Sequence, residues 1–407
     1  MKVPLSSPDI TDFEINFVND VLKSNQLALG PYLNMFEEKI KKYFGVKYAI
    51  AVNSGTSALH LILKAMEFKR GDKLITTPFT FISSSNVALY EDGIVEFVDI
   101  DKDDYNISIP LLNKKLKDLD RAFFMGVDIF GQSLDWDSID YDKNKIFIIE
   151  DSCEAIGAEY KGKKVGTFGK AGTFAFYPNK QITTGEGGIV ITDCEDIYKK
   201  CKSMSNQGRG DDMQWLEHVR IGFNYRMDEM SAALGYGQMI RLDEILKKRS
   251  LIAENYYDLF SEEKRIVLPK INNFNIPSWF VFVIRLDLNW VSNFLDLPEW
   301  IINFDFSERI ESDKRDVWSK NIFKVQNFLN DFINKLILKG VQCKNYFKPV
   351  HTQKFYREKF GFEYGDFPIT ELISSLTIAI PFFTNLTFEE QVYVFESIKE
   401  VLGEMEV

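Results

Sequence analysis

Two residues in the middle of the chain form a pair that could do chemistry. An apolar run, Ile146–Ile149, ends in Glu150 and Asp151, and a second, Thr173–Tyr177, ends in Pro178, Asn179 and Lys180. Short apolar runs bounded by turn residues read as buried strands. In α/β sheets, ligands sit beyond the carboxyl ends of the strands. Asp151 and Lys180 are therefore each expected at such an end. Taken singly, the lysine reads as a solvated surface residue and the aspartate as a helix cap. Taken together they suit pyridoxal phosphate (PLP) chemistry, which needs a lysine amine to join the cofactor's aldehyde and an acid to keep the pyridine nitrogen protonated.

The elements that must position this pair alternate along the first half of the chain. Tyr48–Val52 reads as a strand, Asn53 to Ser57 as a turn of small residues, and Ala58–Met66 as a helix. Such a turn presents free N–H groups and the positive end of a helix dipole, so it serves either as an anion cradle or as an ordinary N-cap. Further strands at Leu74–Thr76, Val95–Val98 and Phe123–Ile129 alternate with helices near 83–90 and 109–118, and the run Gly188–Thr192 follows Lys180. This alternation predicts an α/β fold with a mainly parallel sheet and helices on both faces. Residues 1–29 read as an N-terminal arm containing a helix at Thr11–Lys23, and Gly30-Pro31 opens a helix over Tyr32–Phe44. A helix at Asp196–Met204, a polar loop over 211–220 and a long helix from Met227 to about Phe260 close a large domain, 30–245, and lead into a smaller α+β domain, 246–407. There Trp279–Leu286 reads as a strand, and Phe328–Leu338 as a helix stopped by Gly340. Phe388–Leu402 reads as a closing helix.

Composition narrows the partners. A chain of 407 residues with 45% hydrophobic and 27% charged residues is a globular protein with room for a large core. A net charge of −11 argues against a nucleic-acid partner, which needs a basic footprint. The N-terminus lacks a signal-peptide apolar region and no apolar run approaches the ~20 residues that span a bilayer, so a cytoplasmic protein with no membrane partner is expected. Cys153, Cys194, Cys201 and Cys343 show no metal-binding spacing and read as reduced thiols, Cys153 as a packed small residue. With only three histidines, no metal site is expected.

The stretches PYLNMFEEKIKKYFGVKYAIAVNSGTSALHL, ITTPFTFISSSNVALY, EDSCEAIGA, FYPNKQITTGEGG, NQGRG, GFNYRMDEMSAALG and NYFKPVH occur in an order that resembles the DegT-type family of PLP-dependent sugar-nucleotide aminotransferases, of fold type I. The resemblance covers most of the chain and implies roles by residue. Lys180 holds the cofactor and Asp151 pairs with its ring nitrogen. Gly55, Thr56 and Ser57 cradle its phosphate, Phe81 stacks on the ring, and Glu154 sits near the phenolic oxygen. Asn224 reaches the phosphate of a neighbouring subunit, which implies a homodimer with shared sites. Arg226 and His351 contact substrate, and the N-terminal arm lies against the small domain. The implied reaction moves an amino group from glutamate to a nucleotide-linked keto-deoxysugar, the 4-keto class of perosamine-like products being favoured, in surface-polysaccharide or amino-sugar biosynthesis. A sugar 3-dehydratase of the same family would carry histidine in place of Lys180. A non-catalytic sensor homologue would tolerate loss of Lys180 or Asp151. The chain departs from the pattern in three places. Ala175 stands where many relatives have a phosphate-binding serine, Gln207 where many have histidine, and about forty residues, 287–327, are inserted in the small domain.

Overall fold

A computed structural model of the chain describes residues 1–210, 217–303 and 309–406. It opens with α1 (Asp12–Lys23), whose N-terminus is closed by reciprocal bonds between Thr11 and Glu14, and α2 (Pro31–Phe44), which stops at the left-handed Gly45. Strands and helices then alternate: β1 (Tyr48–Val52), α3 (Gly55–Ala65), β2 (Lys73–Thr76), α4 (Ser83–Leu89), β3 (Ile94–Phe97), α5 (Ile109–Lys117), β4 (Ala122–Val127) and β5 (Ile146–Asp151). After a short ribbon, β6 (Glu159–Tyr160) and β7 (Lys163–Lys164), come β8 (Ala171–Ala175), β9 (Gly188–Thr192), α6 (Glu195–Ser205) and α7 (Glu229–Phe260).

Seven of these strands form one sheet in the order β1-β9-β8-β5-β4-β2-β3. The pairs from β8 to β3 are parallel, and β9 alone runs against its two neighbours. Every residue of β4 is buried, as in a strand covered by helices on both faces. The reversal of β9 follows from the connection that carries Lys180: a parallel return usually runs through a crossover helix, and residues 176–187 contain none.

The long helix α7 changes partners along its length. Ala232, Met239, Leu242 and Ile245 pack with α2, whereas Ile252, Ala253, Tyr256 and Phe260 enter the core of the C-terminal part. Its first residue, Glu229, is buried and accepts the N–H groups of Gly30, Tyr32 and Leu33 at 2.9, 2.8 and 3.0 Å. A carboxylate there satisfies orphan donors and meets the positive end of the α2 dipole. Glu229→Ala is expected to lower stability by about 2–3 kcal/mol, read from the urea midpoint, because three N–H groups lose a charged acceptor.

The C-terminal part is built on a second, antiparallel sheet of β10 (Ile266–Val267), β12 (Phe282–Leu286), β13 (Lys344–Asn345) and β14 (Thr377–Ile380), in the order β10-β12-β14-β13, while β11 (Asn275–Ile276) joins the β6–β7 ribbon. Its helices are α8 (Leu288–Ser292), α9 (Glu299–Ile302), α10 (Arg315–Leu338), α11 (Lys354–Phe360), α12 (Pro368–Ser374) and α13 (Phe388–Met405). The expected insertion is folded into this core. Trp290, Leu297, Ile301 and Ile310 are buried, and Trp318 donates from Nε1 to Glu371 at 2.6 Å. The helix expected from Phe328 starts at Arg315, so part of the insertion is its first turns; residues 304–308 of the insertion and 211–216 of the expected loop lie outside the described residues. The strand expected from Trp279 starts at Phe282, because Trp279 has φ +51° and breaks the extended run. The N-terminal arm divides its contacts. Val3 and Leu5 bond to Gly340 and Phe382 of the C-terminal part, whereas Asp9 and Glu14 pair with Arg241 of α7 at 2.8 and 2.7 Å. Among the described residues no helix is long and apolar enough to cross a membrane, and no group of three His, Cys, Asp or Glu could hold a metal.

Candidate active site

The strand ends converge on one cleft of about 450 Å³. Asp151 is the last residue of β5, and Lys180 sits in the turn after β8, its N–H bonded to the Tyr177 carbonyl at 2.9 Å. The N-terminus of α3 supplies a third wall. Ser54, Gly55 and Thr56 line the cleft with Phe81, Ser84, Asp151, Glu154, Lys180, Phe280 and Tyr346. Thus six of the residues expected from sequence, Gly55, Thr56, Phe81, Asp151, Glu154 and Lys180, meet in one place.

Asp151 is buried, and its orientation is set by two donors. Ser84 Oγ donates to Oδ2 at 2.7 Å, and the Cys153 N–H to Oδ1 at 3.2 Å. Ser84 is in turn within 2.9 Å of Thr80 Oγ1. Glu154 accepts the Phe130 N–H at 3.0 Å on Oε2 and lies 3.6 Å from Lys180 Nζ on Oε1. Burial pushes its pKa up, and Lys180 and the Phe130 N–H oppose that rise. Lys180 Nζ also sits 3.8 Å from the centre of the Phe280 ring. The Cys153 thiol is held well above its usual pKa by burial, and next by the Asp151 charge, so it stays protonated and is no nucleophile.

Four expected contacts are placed elsewhere. Ser57 Oγ donates to Asn53 Oδ1 at 2.7 Å, and its N–H is taken by Ser54 Oγ at 3.1 Å, so Ser57 closes the turn while Ser54 and Thr56 face the cleft. This corrects its expected contact, because both its N–H and its hydroxyl are taken up within the turn that Ser54 caps. His351 is also corrected: it is fully buried, Nε2 is 3.0 Å from Glu371 Oε1, and its ring packs on Phe367, away from the cleft that Tyr346 and Phe347 of the same segment line. Asn224 is exposed and lies outside the chain's own cleft. Arg226 donates to Asn206 Oδ1 at 2.8 Å and lines a separate cavity with Glu37 and Lys202. Sequence reasoning missed Ser84 and Phe280. The run Ser83–Ser85 just past β2 was a signal for the first, and nothing local marked the second.

The sequence matches the DegT/DnrJ/EryC1/StrS aminotransferase family over residues 8–299 and 301–399. The chain belongs to this family. Among its relatives, the GDP-perosamine synthase of Escherichia coli O157:H7 is 32% identical over 98% of this chain and 98% of that protein. A UDP-4-amino-4,6-dideoxy-N-acetyl-beta-L-altrosamine transaminase of Campylobacter jejuni is 35% identical over 70% of this chain and 76% of that protein. The solved structure of Helicobacter pylori PseC, an aminotransferase involved in the biosynthesis of pseudoaminic acid, is 25% identical, superimposes with a TM-score of 0.84 and covers 99% of this chain and 100% of that one. This DegT-type protein is therefore a PLP-dependent aminotransferase of fold type I.

The cleft fits the cofactor. A Cβ built on Gly55 would stand 2.8 Å from the Ala175 Cβ and 2.9 Å from the Cys153 Sγ, so only glycine lets the start of α3 close on β8 beside a phosphate-sized anion site. Ala175 lines the cleft without a hydroxyl, and Ser54, Thr56 and the α3 N-terminus are the groups there that could hold a phosphate. Gly55→Ala is expected to weaken PLP affinity at least tenfold while the protein stays folded, measured by equilibrium dialysis beside far-UV circular dichroism, since a displaced loop forfeits about 1.4 kcal/mol or more of anion binding.

Proposed function

We propose that the protein transfers an amino group from glutamate to the 4-keto group of a nucleotide-linked keto-deoxysugar. The observation that carries this reading is the convergence of Asp151, Lys180 and the α3 N-terminus on one cleft, in a chain with full-length similarity to a GDP-perosamine synthase. PLP, when bound, supplies an electron-accepting pyridine ring and a carbon to which the amino group is joined.

The residues then divide the work. Lys180 would hold the cofactor, and its amine would carry the proton that leaves the donor's Cα. Asp151, steadied by Ser84, holds the proton on the ring nitrogen. Glu154, favoured in its protonated form by burial, faces Lys180 and can share a proton beside it. Gly55, Thr56 and Ser54 anchor the phosphate. Phe81, 60% exposed at the cleft mouth, offers a face to the ring. Asn224 and Arg226 act in the cleft of a second copy, as their position outside their own cleft suits.

The test is a panel of GDP- and UDP-linked 4-keto and 3-keto sugars incubated with PLP-loaded protein and glutamate. Amino-sugar formation from a 4-keto acceptor, matched by 2-oxoglutarate release, is expected. Product from the 3-keto compounds alone, or release of 2-oxoglutarate by no acceptor in the panel, would sink the proposal.

A further inference from the structure

The geometry points to Arg249 of α7 as a positioning residue for Lys180, acting through the main chain of Trp279 and Phe280. Arg249 is 2% exposed, and among the described residues its guanidinium meets oxygens that carry no charge. Nε donates to the Trp279 carbonyl at 2.8 Å and Nη2 to the Phe280 carbonyl at 2.7 Å, while Nη1 reaches Thr384 Oγ1 at 3.3 Å. Burial without a carboxylate pushes its pKa down to about 9. Its hydrogen bonds and the Phe382 ring, 4.9 Å from the guanidinium carbon, offset the cost of burying the cation.

What these bonds hold is a segment in an unfavourable conformation. Trp279 has φ +51°, a region that a bulky side chain avoids. The same segment is tied from two other sides. Ser278 N–H donates to the Gly131 carbonyl at 3.0 Å, and a Cβ on Gly131 would come within 2.9 Å of the Trp279 nitrogen. Gln181, the residue after Lys180, donates from Nε2 to Ser278 Oγ at 2.8 Å and to the Glu154 carbonyl at 2.7 Å. The result is that the Phe280 ring is presented to Lys180 Nζ at 3.8 Å. The ring therefore bounds one side of the space in which the lysine amine can stand. The other titratable groups there are Glu154 at 3.6 Å and, in the same cleft, Asp151, Cys153, Tyr177, Glu186 and Tyr346. Arg249 lies where α7 passes from the large domain's core to the small domain's, so the small domain's seating is transmitted to the lysine.

This inference rests on Lys180 being the cofactor lysine. The experiment is the rate of PLP capture at one fixed pH by protein freed of cofactor, followed by visible absorption, with the visible circular dichroism of the bound cofactor and thermal unfolding alongside. Phe280→Leu and Arg249→Lys, which keeps the charge but loses the two-pronged grip, are each expected to slow capture about tenfold or more and to weaken the visible circular dichroism. The double variant is expected to be no slower than Phe280→Leu alone. A wild-type capture rate in Phe280→Leu, a loss of stability in Arg249→Lys with wild-type capture and dichroism, or simple addition of the two effects overturns the role. Should Arg249→Lys fail to fold, Arg249→Gln replaces it, since it loses the same grip without leaving a buried cation, and wild-type capture there is equally decisive. A visible band that survives Lys180→Ala removes the cofactor-lysine reading together with the inference. Wild-type capture in Phe280→Leu overturns the inference alone.

Discussion

Lys180→Ala is expected to lose the visible band of the PLP-loaded protein and to slow amino transfer by at least ~10³-fold, since positioned proton transfer alone contributes ~10²–10⁴. The argument is geometric. Lys180 is the one lysine lining the cleft among the described residues, and its Nζ is bracketed by Glu154 and the Phe280 ring. No neighbour can take its place: Cys153 is kept protonated by burial, and Asn179 carries no amine. Removing the ammonium also leaves Glu154 buried without its cation, so its pKa should rise further. Stopped-flow absorption after mixing with glutamate checks the rate, and circular dichroism checks the fold. Residual transfer within tenfold of wild type would refute the assignment.

Asp151→Asn should leave the fold intact and still cut the rate of the donor half-reaction by roughly 10³-fold, because an amide can meet a ring nitrogen but cannot hold a proton on it by charge. The site supports this sharp dependence. Asp151 is buried, and the Ser84 hydroxyl and Cys153 N–H fix its carboxylate, so water cannot stand in for it. A PLP analogue methylated on the ring nitrogen carries the positive charge without a proton. It should restore part of the rate in Asp151→Asn and none in Lys180→Ala. Failure of the analogue in both variants would remove the proposed role from Asp151.

The readable part of the site lies in the first half of the chain, where function follows local pattern. Asp151 could be placed because β5 is a continuous apolar run that ends in acids, and a buried strand delivers its last residue to the sheet's carboxyl edge. Gly55 and Thr56 could be placed only through the family's pattern, because the turn between β1 and α3 by itself reads as either an anion cradle or an N-cap. Ser57 shows the limit of that reasoning. Residue types alone do not say which of several adjacent hydroxyls is turned away from the cleft, and here Ser54 caps α3 while Asn53 Oδ1 takes the Ser57 hydroxyl. His351 shows another. A histidine beside an aromatic segment suggests a ligand contact, but Glu371, twenty residues on, draws it into the core.

By itself the sequence determined the family, the cofactor chemistry and the elements that carry Asp151, Lys180 and the α3 cradle, because each depends on residues close together in the chain. Only the tertiary structure decided that Ser84 steadies Asp151, 67 residues away. It alone decided that Phe280, whose carbonyl accepts from Arg249, meets Lys180. Those contacts join segments with no shared periodicity. They exist because the packing of α7 and the small domain brings the segments together, and no local pattern records that.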